Sequence, residues 1–187
     1  MSKSTKTIIA VATGLVALML LLAARQRPAH ALEIGDRVPA FALPLQPSGT
    51  VDVRQFQNHV VVLNFWATWC PPCIDEAPSL EKFARQMRPR GVEVIGVSVD
   101  QDSNALNQFI SKYGLTFPIA RDPDQRLANG LGTFKFPETY ILDRSGRVAE
   151  KIIGETNWED PRMIQYVSAL VDWKHAPTAP TGGAVNY

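Results

Sequence analysis

Cysteine is almost missing from this chain: there are two in 187 residues, Cys70 and Cys73, and no third for either to reach. A scaffold stapled between distant segments is therefore excluded, and the cysteines point to chemistry within one local motif. Histidine is nearly as scarce. His30, His59 and His175 are scattered along the chain, whereas zinc needs about four converging ligands, so no metal site is expected. Long basic runs and arginine stripes are absent too, and 19 Lys and Arg against 18 Asp and Glu leave a net charge of +1. Nucleic acid is not an expected partner, because phosphate binding requires a concentrated positive face. No internal repeat is evident. With its two ends set aside, the chain has the size of one ordinary domain.

At the N-terminus stands an uncharged apolar run from Ile8 to Ala24, with Lys3 and Lys6 before it and Arg25 and Arg27 after it. A membrane span needs about 17 to 25 apolar residues and a cleaved signal roughly 7 to 15, so the length favours an uncleaved anchor. The alternative is cleavage at Ala29-His30-Ala31, which has the small-x-small pattern, although Arg25, Arg27 and Pro28 interrupt the approach to it. The flanking charges are nearly balanced and do not fix orientation; a cytoplasmic N-terminus is the default. The expected organisation is an anchor or signal segment with linker over 1–31, a folded domain over 32–174, and a flexible tail rich in Pro, Thr and Gly over 175–187.

Within the domain, Phe41-Ala42-Leu43-Pro44-Leu45 and Val51-Asp52-Val53 flank a Pro-Ser-Gly turn and predict an N-terminal hairpin. Val60 to Trp66 is nearly continuous apolar sequence, as expected of a central strand covered on both faces. Ala77, Leu80, Phe83, Ala84 and Met87 then recur at helical spacing, predicting a helix from about Cys73 to Arg88, stopped by Pro89 and Gly91. Val92 to Val99 predicts a second buried strand, Ser103 to Tyr113 a helix and Phe117 to Ala120 a short strand. Strand alternating with helix implies parallel crossovers. Thr139 to Leu142 and Val148 to Ile153, joined by Asp143-Arg144-Ser145-Gly146-Arg147, predict an antiparallel pair. A last helix from about Trp158 to Lys174 places Ile164, Val167, Leu170 and Val171 on one face.

The chemistry is carried by Trp69-Cys70-Pro71-Pro72-Cys73, between a buried strand and the first turn of a helix. Unpaired backbone N–H groups and the positive end of the helix dipole stabilise a thiolate there, which makes Cys70 the candidate nucleophile toward a disulfide. Cys73, a turn later, is placed to attack the mixed disulfide and release the partner. Pro71 and Pro72 lack N–H groups, so the expected depression of the Cys70 pKa is moderate, which suits a reductant. As a purely structural disulfide the pair would close a tiny loop and contribute little chain entropy. Covalent haem attachment would need histidine directly after the second cysteine, and that residue is Ile74.

Asn64-Phe65-Trp66-Ala67-Thr68-Trp69-Cys70-Pro71-Pro72-Cys73, with Pro78 and Phe136-Pro137-Glu138-Thr139, resembles the thioredoxin superfamily, and within it the anchored extracytoplasmic TlpA/ResA/CcmG (DsbE) group. The resemblance runs from about Ile34 to Trp173. It implies an α/β, three-layer fold whose central mixed sheet is flanked by helices, with the N-terminal hairpin and a central helix-strand insertion over Asp100 to Arg121. It implies that Cys70 is the nucleophile, Cys73 the resolving thiol and Pro137 a cis-proline facing the dithiol. Phe136 then offers backbone groups to an incoming peptide, and Trp69, Pro71 and Pro72 border the same substrate site, while Trp66 packs in the core. Ordinary thioredoxins have a buried aspartate where this chain has Asn64, so that acid's role cannot be carried over. Glu76 is the substitute candidate for handling the proton of Cys73. The plainer alternative is that Asp75 and Glu76 favour the positive helix end. Pro78 is expected to kink the helix. The opening Phe41-Ala42-Leu43-Pro44 is also similar to peroxiredoxins, but their peroxidatic motif of one cysteine preceded by Pro and Thr is absent.

The resemblance implies a thiol-disulfide oxidoreductase on the outer side of a bacterial inner membrane, in the periplasm, with no cofactor. It implies protein substrates that carry disulfides, apocytochrome c among them, and an upstream membrane thiol reductant. Two alternatives stay open: a disulfide oxidase or isomerase, and a metal- or haem-handling protein that uses Cys70 and Cys73 as ligands without turnover.

Overall fold

The structure is a computed structural model, described for residues 31–173. The expected anchor between Ile8 and Ala24 and the tail from His175 lie outside the described residues, as does the Ala29-His30-Ala31 pattern except for its last residue. Among the described residues no helix is long and apolar enough to cross a membrane.

Seven strands form one mixed sheet in the order β2-β1-β5-β4-β3-β6-β7. At its centre is β3 (Val60–Trp66), whose seven residues are all buried. An unbroken apolar sequence produces this placement, because each face of the strand must be covered by helix. Its neighbour β4 (Val92–Ser98) runs parallel to it, and β5 (Ile119–Arg121) runs parallel to β4. On the other side β6 (Glu138–Leu142) is antiparallel to β3 and continues as a hairpin into β7 (Val148–Ile153). The hairpin β1 (Ala42–Gln46) and β2 (Thr50–Asp52) joins the sheet through β5. The helices are α1 (Pro71–Met87), α2 (Ser103–Tyr113), α3 (Arg126–Leu131) and α4 (Pro161–Asp172). This is the expected thioredoxin-like α/β arrangement.

Several boundaries differ from the sequence expectation, each for a local reason. Helix α1 starts at Pro71 rather than Cys73, since proline at the first helical positions gives up N–H groups that the helix would leave unpaired anyway. Pro78 lies inside α1, which is assigned as one helix through it. Strand β5 begins at Ile119 rather than Phe117, because Pro118 has no N–H for a ladder; its carbonyl instead accepts from Gly96 N at 3.0 Å. Helix α4 starts at Pro161 rather than Trp158, capped by the Asp160 side chain. Trp158 is instead wholly buried, its ring 5.2 Å from that of Phe83. On α4 only Val167 is fully buried, with Ile164, Leu170 and Val171 packed against the core from a half-buried position.

Helix α3 was not expected, being six residues long with an internal Gly130. The buried Asp122 supplies what its sequence lacks, accepting from the backbone N of Arg126, Leu127 and Ala128 at 2.9, 3.2 and 2.9 Å. Immediately after it, Gly132 has φ of +76° and lies so close to Ala31 that an added Cβ would sit 2.4 Å from its Cα. Both features demand glycine. Gly132→Ala should therefore lower the unfolding free energy by at least about 2 kcal/mol in urea denaturation. Gly114→Ala, at φ of +62° but in open space, should cost only about 1 kcal/mol. Equal losses would mean that the contact with Ala31 is not tight.

Candidate active site

Strand β3 ends at Trp66 and α1 begins at Pro71, so the dithiol loop sits where the central strand hands over to a helix. Cys70 is the N-cap of α1 and Cys73 its third residue, with their Cα atoms 5.3 Å apart and a disulfide between them. Both are buried. The loop ahead of them is held from the segment just after β4: the buried Asp100 accepts from Thr68 N at 3.2 and 3.1 Å, from Thr68 Oγ1 at 2.6 Å and from Ser98 Oγ at 2.7 Å. Sequence reasoning passed over Asp100; a lone acid closing an apolar strand was the signal that could have found it.

Opposite the disulfide lies the loop before β6. The Phe136-Pro137 peptide is cis, as the resemblance implied, and the Phe136 carbonyl oxygen lies 3.4 Å from Cys70 Sγ. A second cis bond, Gln46-Pro47, lies in the N-terminal hairpin and was not foreseen. Trp69 is exposed and meets Phe136 edge-on with ring centroids 6.2 Å apart, whereas Trp66 is buried and stacks at 4.9 Å on Phe109. Cys70, Cys73, Trp69, Pro71, Pro72, Phe136 and Pro137 are thus brought to one end of the sheet.

Glu76 is on the inner side of α1 and only 4% exposed, well inside the helix rather than at its solvent-facing end. It lines a cavity of about 10 Å³ together with Asn64, Trp66 and Cys73. Trp158 Nε1 donates to its carboxylate, and the Asn64 amide and the Thr156 backbone lie close enough to favour its charged form. Asn64 is anchored in turn, donating from Nδ2 to Thr139 Oγ1 at 2.9 Å. Burial outweighs these donors and, with a small push from Glu155, raises the Glu76 pKa from 4.5 to about 7. The partner Trp158 was missed because a residue 82 positions away read only as the start of a helix. Among the described residues no group of three His, Cys, Asp or Glu side chains could hold a metal ion.

The Redoxin family model matches residues 33–167. The chain belongs to the Redoxin family. Among its relatives, the thiol-disulfide oxidoreductase ResA of Bacillus anthracis is 33% identical over 128 residues, spanning 68% of this chain and 74% of the relative. ResA of Geobacillus thermodenitrificans is 32% identical over 130 residues, spanning 70% and 75%. Among solved structures, a Chlorobium tepidum protein described as a thiol:disulfide interchange protein DsbE superposes with a TM-score of 0.70 at 27% identity, covering 75% of this chain and 99% of that one. A secreted thiol-disulfide isomerase of Corynebacterium glutamicum gives 0.68 at 25% identity, covering 79% and 96%. This Redoxin-family chain is a ResA/DsbE-like thiol-disulfide oxidoreductase of the thioredoxin superfamily.

The raised pKa of Glu76 has a consequence for stability. The unfolded chain holds this proton with a pKa near 4.5 and the folded chain with one of about 7, so folding is progressively penalised as pH rises between them. Compared with Glu76→Gln, the disulfide-bonded wild type should lose roughly 3 kcal/mol between pH 4.5 and pH 8. Urea denaturation of both proteins across that range measures it; parallel pH profiles would contradict the shift.

Proposed function

We propose that the chain reduces disulfides in exported proteins from a membrane-anchored position outside the cytoplasm, with apocytochrome c before haem attachment as the favoured substrate. The observation that carries the reading is the Cys70-Cys73 pair at the mouth of α1, with the Phe136 carbonyl 3.4 Å from Cys70 Sγ. In the reduced form the helix N-terminus favours the thiolate at Cys70, which attacks one sulfur of a substrate disulfide and expels the other as a thiolate. The Cys73 thiol then loses its proton and attacks the Cys70 sulfur of the mixed disulfide. The substrate leaves fully reduced, two electrons have passed to it, and the Cys70-Cys73 disulfide is formed. A membrane thiol reductant upstream restores the dithiol.

Glu76 is assigned as the group that takes the Cys73 proton. Its carboxylate and Cys73 line the same cavity, and a pKa of about 7 lets it accept a proton near neutral pH and release it afterwards. Trp69, Pro71, Pro72, Phe136 and Pro137 are assigned to the substrate side. The apolar run Ile8 to Ala24 and the secreted structural neighbour support the location and the anchor over 1–31.

The division of labour is tested by two variants. Cys73→Ser should accumulate a mixed disulfide with substrate protein, because the resolving thiol is gone, and Cys70→Ser should trap almost nothing. Equal trapping by both would overturn the roles, and trapping by neither in extracts containing oxidised substrate would overturn the reductase reading. A second test concerns attachment: the mature protein should stay with membranes through high salt and leave only in detergent. Recovery of a soluble protein beginning near Leu32 would overturn the anchor.

A further inference from the structure

Among the described residues five large apolar side chains are exposed, and the most exposed is Phe134 at 72%, followed by Trp69 at 63%. Single exposed apolar residues are ordinary on a protein surface. These two, however, belong to the two segments that meet at Cys70: Trp69 precedes it, and Phe134 is two residues before Phe136, whose carbonyl faces Cys70 Sγ. Two residues of chain reach at most about 7 Å, which keeps the Phe134 backbone on the same loop end as Phe136.

The loop carrying Phe134 is fixed at its base by buried side chains. Thr133 Oγ1 lies 2.8 Å from Tyr140 Oη and donates to Glu138 Oε1 at 3.3 Å, while Tyr140 Oη also donates to Glu138 Oε1 at 2.7 Å. Lys151 Nζ, 3.4 Å from the same Glu138 oxygen, donates to the Leu32 carbonyl at 3.2 Å and balances the buried charge. Thr133, Glu138 and Tyr140 are each at most 1% exposed. The segment between Thr133 and Glu138 is therefore closed at both ends, and the Phe134 ring stands out in solvent from a fixed base. Beside it, Lys135 Nζ is 5.9 Å from the Phe134 ring centroid, and no carboxylate of the described residues is within ion-pair distance of it.

We propose that residues 134–136, with Trp69, form a docking surface for an extended segment of substrate protein that carries a bulky apolar residue and a carboxylate next to its disulfide. The apolar residue packs on Phe134, and the carboxylate meets Lys135. This deepens the reductase reading and rests on it. The surface was not legible as a motif, since neither a lone Phe nor a lone Lys signals anything until the loop is seen to face Cys70.

Two disulfide peptides identical except for the residues after one cysteine, Leu-Asp in one and Ser-Ser in the other, test it with the pre-reduced full chain in detergent. The wild type should show a kcat/KM about tenfold higher for the Leu-Asp peptide, carried by KM. Phe134→Ser should cut the preference to about threefold, the share left to Lys135, while the dithiol keeps its wild-type reduction potential, which separates docking from altered redox chemistry. Lys135→Glu should weaken the preference about threefold. If the wild type reduces both peptides equally well, the docking surface is overturned and the reductase reading stands. If it reduces neither, the reading beneath the proposal falls, and the proposal with it.

Discussion

The structure depends on one junction: a strand buried along its whole length is followed, after a four-residue loop, by the N-terminus of a helix. Because all of β3 is buried between β4 and β6, its end cannot shift without disturbing the central sheet. The loop from Ala67 to Cys70 inherits that rigidity, and Asp100 reinforces it through the Thr68 backbone. The same sheet brings β6 alongside β3 in the opposite direction, so the segment preceding β6 must arrive at the end where β3 leaves off. That antiparallel pairing is why Phe136 and Cys70, 66 positions apart, come within 3.4 Å. Sheet topology thus sets the site geometry, and the edge-on contact of Trp69 with Phe136 between the two loops adds to it.

A second constraint is the buried carboxylate. A charged group in a dry interior is costly, and its pKa rises until the neutral form competes near neutral pH. Glu76 carries that cost on the inner face of α1, with Trp158, Asn64 and the backbone of Thr156 as partners. A carboxylate serving only to favour the positive helix end would gain as much at the surface in the first turn, and α1 has no acidic residue in its first turn. The burial therefore supports a part for Glu76 in the proton economy of the neighbouring Cys73. Asn64, standing where ordinary thioredoxins have an acid, supplies a neutral amide to it instead.

Much of this was legible in the sequence because the signals were strong and local. The continuous apolar run of β3, the helical spacing behind Cys73, the turn between β6 and β7 and the spacing of the dithiol each fix a piece of structure without reference to anything distant. The misplacements cluster at prolines: Pro71, Pro118 and Pro161 each move a boundary by two or three residues, since an apolar period shows that an element exists but not where its hydrogen bonds begin. Helix α3 escaped because it depends on Asp122, which lies outside it. Trp158 and the network around Glu138 escaped for a related reason. Their meaning lies in contacts between residues far apart in sequence, and composition holds no trace of such contacts.

The prolines of the motif also bear on direction. A helix N-terminus ordinarily presents four unpaired N–H groups to a negative charge. Here Pro71 and Pro72 present none and the Cys70 N–H is given to the Ala67 carbonyl at 3.3 Å, which leaves the N–H of Cys73. The charge on a Cys70 thiolate is therefore less well compensated than the bare helix end would allow. A dithiol whose reduced form is strongly stabilised is a strong oxidant, because it gains by accepting electrons. Weaker compensation moves the balance the other way, toward a pair that gives electrons up. The direction proposed for the reaction is thus in keeping with a shortage of donors at the place where the fold brings the reactive sulfur, and the burial of Cys70 leaves water little room to replace them.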